Sequence, residues 1–246
     1  MKTKKILFLF LISLLTACVQ KGAVSSQGSV KQELSCVTNS TAQNLSDPQS
    51  IEELTAFINA LPKPLDLSCF LKSLKRPLYV NATSSKLSAQ PAGSASSPRI
   101  FIFKGDLIIS IVPDGEGSKI LEFSEIVNSV RTIKGEVALP INEDLSKTDP
   151  FLRINNQDKT SCSGCHSSER FESEIDGVPV YSSLAFKPAT AREVSLQSLR
   201  ELDFQCQSLN EKSERCLNLK SLFLSGEVSH IPFPEDFILF LNTFGN

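Results

Sequence analysis

At 246 residues, with 41% hydrophobic and 21% charged side chains, the chain has ordinary globular composition, which excludes a disordered or multi-spanning protein. Lys and Arg number 25 against 27 Asp and Glu, a formal net charge of −2, so the basic excess expected of a nucleic-acid binder is missing. The unusual counts are at the rare end: seven Cys, two His, no Trp, and a single Met, which is Met1.

Lys2, Lys4 and Lys5 precede an apolar run from Ile6 to Ile12, followed by Ser13, Leu14 and Leu15. This is the charged n-region and short h-region of a secretory signal, too short to cross ~30 Å of hydrocarbon as a stop-transfer helix. Leu15-Thr16-Ala17-Cys18 resembles the lipobox of bacterial lipoproteins. The resemblance implies that residues 1–17 are a signal peptide, that cleavage falls before Cys18, and that the Cys18 thiol and the new amine are acylated. Such chains, at ~0.8 kcal/mol per buried methylene, hold a protein to a membrane without a spanning helix. Val19 is not the Asp that retains such lipoproteins in the inner membrane, so the resemblance implies the periplasmic face of the outer membrane or the cell surface. The alternative is a plain signal peptide with an unrelated cysteine. Cleavage removes three of the 25 basic residues and no acid, leaving a mature charge of −5 and no methionine.

Residues 18–49 are rich in Ser, Gln, Asn and Thr and read as a lipidated flexible tether, pinned late by Cys36. A single domain is expected over 50–246. Ser50 and Glu53 form a capping box for a helix whose Ile51, Leu54, Phe57, Ile58 and Leu61 share one face, ended by Pro62 and Pro64. A second short helix, 66–74, carries Cys69 and completes an N-terminal helical hairpin. Residues 82–98, Ser-rich and aperiodic, read as a long loop, either a connector or a cover over a cofactor edge. From Arg99 the period changes to two. Runs at 100–103, 107–112, 119–127 and 131–141, parted by Lys104-Gly105-Asp106 and Pro113-Asp114-Gly115, predict an antiparallel meander of about four strands over 99–141. Within it Ile133, Val137 and Leu139 alternate against Lys134 and Glu136.

Cys162-Ser163-Gly164-Cys165-His166 is a C-x-x-C-H motif. Two thiols three positions apart on one helical turn can reach the two vinyl groups on one porphyrin edge, and the next residue can then place an imidazole nitrogen on the iron. On these five residues and the export signal the chain resembles the monohaem c-type cytochromes. The resemblance implies one covalent haem c held by Cys162 and Cys165, with His166 as proximal iron ligand. Three other readings stand beside it: a disulfide across Cys162 and Cys165, a thioredoxin-like redox pair, and a structural zinc completed by His230 or an acid. Small cytochromes c commonly cap the far side of the iron with Met, which this mature chain lacks, so the distal position falls either to His230, the only other histidine, or to an open site.

Glu169, Glu172, Glu174 and Asp176 follow the motif and read as a solvated loop, or as an acidic patch that steers a basic redox partner. Helices are expected at 194–204, 210–224 and 234–244 within a helical part spanning about 190–246, the last with Phe237, Ile238, Phe240, Leu241 and Phe244 as its core face. Cys206 and Cys216 flank a turn-like stretch and fit a local disulfide. Cys36 and Cys69 then pair by elimination, although four cysteines permit three pairings. The expectation is an α+β domain with C-terminal helices around the C-x-x-C-H loop, unlike the small all-α cytochrome fold. Its expected role is that of an exported, lipid-anchored electron carrier with a redox partner protein. The alternatives are a haem enzyme or sensor with an open distal site, and a non-haem binding lipoprotein.

Overall fold

The computed structural model describes residues 36, 39–166 and 168–239, all within the compact unit Ser35–Asn246. The signal segment and Cys18 lie outside the described residues. The chain opens with three helices, α1 (Ser40–Asn44), α2 (Ile51–Ala60) and α3 (Leu67–Ser73). Five strands follow: β1 (Leu78–Thr83), β2 (Arg99–Lys104), β3 (Leu107–Ile111), β4 (Ile120–Asn128) and β5 (Arg131–Ala138). A short helix α4 (Asp149–Leu152) and the two-residue strands β6 (Asn155–Asn156) and β7 (Lys159–Thr160) lead into the C-x-x-C-H segment. After it come the hairpin β8 (Arg170–Ile175) and β9 (Val178–Leu184), β10 (Phe186–Lys187), helices α5 (Leu196–Ser208) and α6 (Glu214–Leu224), and strands β11 (Val228–His230) and β12 (Ile238–Leu239).

Eight strands form one sheet in the order β11-β1-β2-β3-β4-β5-β9-β8, antiparallel throughout except where β11 runs parallel to β1. The expected meander, β2 to β5, is its centre. Alternation along these strands separates two faces. Ile100, Ile102, Leu107, Ile109, Ile111, Leu121, Phe123 and Val137 join Leu54, Phe57, Phe70, Leu199 and Leu222 of the helices in the main core. Phe101, Phe103 and Ile108 point the other way and pack with Ala185 and Phe237 in a smaller cluster. The mixed α+β architecture with a large, mostly antiparallel sheet agrees with expectation.

Local chemistry sets the helix starts. Ser50 Oγ accepts from the Glu53 N–H at 3.1 Å, while the Glu53 carboxylate reaches the Gln49 N–H at 2.7 Å, one residue earlier than a strict capping box. Asp66 caps α3 through the Cys69 N–H at 2.7 Å. Helix α6 packs against both α3 and α5, so the first helices join a shared layer with the later ones and are not a self-contained hairpin. The structure pairs Cys36 with Cys69, Cα atoms 5.3 Å apart, and Cys206 with Cys216, 5.4 Å apart.

Four expectations are corrected. The ordered fold begins before residue 50, since α1 lies inside the expected tether and is capped by Asn39, whose side chain accepts from the Ala42 N–H at 2.8 Å. The segment expected as a loop from 82 starts within β1, and its remainder is tied down by the wholly buried Gln90, whose amide donates to the carbonyls of Gly117 and Ile120. Residues 170–184 are a β-hairpin and not a solvated loop. Its turn places Asp176 at φ 48° and Gly177 at φ 82°, the geometry that an Asp-Gly pair supplies. The expected helix from Pro234 is broken by β12, because the Ile238 N–H bonds the Ala185 carbonyl at 2.9 Å and Ile238 pairs with Phe186, so tertiary pairing overrides the apolar period. Residues 240–246 of that expected helix lie outside the described residues. Among the described residues no helix is long and apolar enough to cross a membrane.

Gly135 stands opposite Phe123 across β4 and β5, and a Cβ there would lie 2.5 Å from the Phe123 ring and 3.1 Å from the Pro150 carbonyl. Phe123 is fully buried and cannot swing away. Gly135→Ala is expected to destabilise the fold by about 1–3 kcal/mol, the usual cost of overpacking a core. Urea titration should show the midpoint lowered at unchanged slope.

Candidate functional site

The C-x-x-C-H segment folds as one turn. A 3-10 helix covers Ser161–Gly164, started by Thr160, whose hydroxyl accepts from the Cys162 N–H at 3.1 Å. The Cys162 carbonyl receives two N–H groups, from Cys165 at 3.1 Å and from His166 at 2.7 Å. Cys162, Cys165 and His166 therefore sit on successive positions of a single coil, as their spacing predicts.

Both ends of this turn are fastened. The Glu169 carboxylate accepts from the Thr160 N–H at 2.9 Å and from the Thr160 hydroxyl, closing the loop upon itself. Glu169 is thus committed to the turn and does not belong to a solvated acidic patch. Arg131, buried at the start of β5, donates from Nη2 to the carbonyls of Ser168 at 2.8 Å and Ser182 at 2.7 Å, and from Nε to Ser182 Oγ at 2.8 Å. These contacts fix the far end of the turn to β5 and β9.

The imidazole of His166 is oriented by a carbonyl. Its Nδ1 lies 2.8 Å from the Leu184 oxygen. A carbonyl only accepts, so Nδ1 carries the proton and Nε2 carries the lone pair. The Phe186 ring lies 4.9 Å from the imidazole. Burial, assisted by the positive charge of Lys134 and Arg99 and opposed by the Leu184 bond, pushes the imidazole down to about 3, so it is neutral at physiological pH. A carbonyl accepting from one nitrogen and an available lone pair on the other is the usual state of a metal-binding histidine.

Cys162 and Cys165 are free thiols, not bridged to each other. Cys162 is half-buried and Cys165 exposed. Burial pushes the Cys162 thiol up, with Lys134 pulling against it. Among the described residues, Cys162, Cys165 and His166 do not converge as a metal-binding cluster. The cluster found instead, Cys206, Glu211 and Cys216, has both sulfurs spent in a disulfide. No βαβ unit surrounds the motif, which lies between β7 and β8.

All three motif residues line a cavity of about 460 Å³, within the ~300–1,000 Å³ of small-molecule and cofactor sites. The floor is the second face of the central strands, where Arg99, Phe101, Ile108, Ser110, Glu122, Ser124, Thr132 and Lys134 alternate with core residues. One wall is the stretch 83–89, which lines the same cavity as the motif. Another is 185–189 with Phe233 and Phe237. Helices α5 and α6 contribute nothing to this lining, so the expectation of C-terminal helices around the motif is corrected: they cover the opposite face of the sheet. A second cavity, of about 480 Å³ against α2, contains none of the motif residues.

His230 is not brought into the cavity. It pairs with Val80 at the sheet edge, and its Nε2 lies 3.0 Å from Glu193 Oε1 and 3.3 Å from Asn81 Nδ2. The lipidation residue Cys18 lies outside the described residues. What sequence reasoning missed is the polar floor: Lys134 reads as a solvent-facing position in an alternating strand, yet it is buried. The available signal was the second face itself, which interleaves Phe101, Phe103 and Ile108 with charged residues, a mixture that a purely solvated face does not need.

No protein-family model, no curated protein and no solved structure matches the chain.

Two outcomes are expected of the chain with both motif thiols free. Alkylation at neutral pH should modify the exposed Cys165 faster than the half-buried Cys162, and Glu169→Ala, by loosening the turn, should narrow the gap, as read by mass spectrometry. In acid, the unfolded chain binds a proton at His166 near 6.5 while the folded chain declines it until about 3. Stability is therefore lost as pH falls from about 6.5 towards 3, and His166→Gln should flatten that limb of the pH profile in chemical denaturation.

Proposed function

We propose that this chain is an exported, lipid-anchored c-type cytochrome that carries one covalent haem and moves electrons outside the cytoplasm. The observation that carries the reading is the state of the motif: two unbridged thiols and a neutral imidazole, its Nδ1 proton engaged by Leu184, line one cavity. The donor set fits haem. Cys162 and Cys165 would bond the vinyl groups, and His166 Nε2 would hold the iron. Phe101, Ile108, Phe186 and Phe233 supply apolar wall for a macrocycle. When bound, haem supplies a one-electron iron couple. The chain's own work is to orient the imidazole through Leu184, to keep the turn closed through Glu169 and Arg131, and to limit water with the 83–89 stretch. The exposed Glu172 and Glu174 of β8, close after the motif, favour a basic redox partner, an attraction that weakens with salt. The lipobox resemblance at Cys18 supports a membrane anchor and a place at the periplasmic face of the outer membrane or the cell surface.

A second reading, a haem enzyme or sensor with an open distal position, is favoured by one observation. His230 is engaged with Glu193 and Asn81 and does not line the cavity, so among the described residues no second histidine or methionine lines it beside His166.

The test is a haem-stained gel after denaturation, on protein made with the haem-attachment machinery. A stained band that Cys162→Ala with Cys165→Ala abolishes is expected, and no band in the parent chain would overturn both haem readings in favour of a non-haem binding lipoprotein. Iron spectroscopy then separates the two. Low-spin iron that turns high-spin in His230→Ala belongs to the electron carrier, and high-spin resting iron that takes up added ligand belongs to the open site.

A further inference from the structure

The charge of the cavity runs against that of the chain. Its lining carries Lys86, Arg99, Lys134, Lys187 and Arg192 but one acid, Glu122, although acidic residues outnumber basic ones overall. Two of these cations stand on the sheet floor, Lys134 buried and Arg99 half-buried, and they are held in different ways. Arg99 is fully engaged: Nη2 lies 3.1 Å from Glu122 Oε2, Nε donates to Ser110 Oγ at 2.6 Å, Nη1 donates to the Ser88 hydroxyl, and the guanidinium sits 4.8 Å over the Phe101 ring. Its charge is balanced where it stands.

Lys134 is only 8% exposed and meets hydroxyls alone. Its Nζ donates to Thr132 Oγ1 at 2.8 Å and to Ser124 Oγ at 3.3 Å. Among the described residues no carboxylate lies within ion-pair distance of it, and the one acid in the lining is already paired with Arg99. Burial without a counter-ion disfavours the charged amine of Lys134, whereas a carboxylate set beside it in a dry site favours the ammonium and gains a charge-assisted hydrogen bond. On the floor Arg99 has its counter-ion and Lys134 has none within ion-pair distance among the described residues.

We propose that Lys134 is the anchor for a carboxylate of the cavity's guest; the inference rests on the reading of the cavity as a haem site, and the carboxylate is then a haem propionate. The required guest is apolar over most of its surface and anionic at one end. That combination matches the Phe101, Ile108 and Phe186 wall beside a buried cation. Haem offers both, and its thioether edge would be set by Cys162 and Cys165 while its anionic edge is set by Lys134. The orientation of the ring is then determined by this chain at two places.

The test uses the full chain with Cys162→Ser and Cys165→Ser, so that haem binds without thioether bonds. It is titrated in parallel with haem and with haem dimethyl ester, each followed by its Soret band. The free acid is expected to bind on the order of tenfold more tightly than the ester. Lys134→Met should erase that preference and Lys134→Arg should retain it. If Lys134→Met does not fold, Lys134→Gln makes the same comparison. Equal binding of acid and ester, or a preference that survives the loss of the ammonium, overturns the assignment. The haem stain of the parent chain reports separately. A stained chain without the preference keeps its haem and loses the role of Lys134. An unstained chain that prefers the acid keeps the carboxylate site and loses the covalent haem.

Discussion

The two-residue period of the central strands is the constraint on which the rest of the molecule depends. A strand that buries Ile100 and Ile102 against the helices must present Arg99, Phe101 and Phe103 to the other side, and β3, β4 and β5 repeat the rule. One face becomes a core that needs no chemistry. The other becomes a surface on which polar and aromatic side chains stand in rows fixed by register, with Ser110 opposite Phe101 and Lys134 opposite Ser124. A slip of one residue would exchange the two faces. The cavity is therefore specified by the same hydrogen-bond ladder that specifies the fold, and its floor is as rigid as the sheet.

The C-x-x-C-H turn has no such ladder of its own. It is a short connection between two-residue β7 and edge strand β8, and alone it would fray. Order is imported from residues on either side. Glu169 reaches back to Thr160, Arg131 reaches out from β5 to Ser168 and Ser182, and the Leu184 carbonyl fixes the imidazole. Each of these partners lies on or beside the sheet, so the turn inherits the rigidity of β5 and β9. The same logic explains the disulfides. Cys206 and Cys216 tie α5 to α6 on the opposite side of the sheet, and the Cys36–Cys69 bridge fastens Cys36 to α3, leaving the motif thiols as the two free ones among the described residues.

Much of this was legible in the residues, for reasons that can be stated. The meander is visible because its alternation is clean over four runs. The helix starts at Ser50 and Asp66 are visible because side-chain caps are local. The cysteine pairing was suggested by the turn-like stretch between Cys206 and Cys216, which left Cys36 and Cys69 for each other, although counting alone permits three pairings. Two of the misses share a cause: the deciding partner is remote in sequence. Phe237 and Ile238 carry a helical period, but the Ile238 N–H bonds the Ala185 carbonyl and draws Ile238 into a strand, while Phe237 packs with Phe101 and Phe103. Lys134 alternates as a solvent-facing residue should, yet it is buried and lines a cavity with Thr83 and Phe186. The β8–β9 hairpin is a different case, since Asp176-Gly177 was a local turn signal present in the sequence, overshadowed by the acids around it.

The electrostatics of the floor bind these elements into one device. Lys134 bears on two motif residues at once: it helps hold the His166 imidazole neutral and pulls against the burial that raises the Cys162 thiol. Both effects act in the direction that a ligating imidazole and a bonding sulfur require, a lone pair on the first and easier loss of a proton from the second. Glu122, although paired with Arg99, pulls the other way at Cys162 and raises the thiol. A neutral residue at position 134 would leave the turn folded but would surrender this bias. The buried, hydroxyl-bound lysine stands where the alternation of β5 places it.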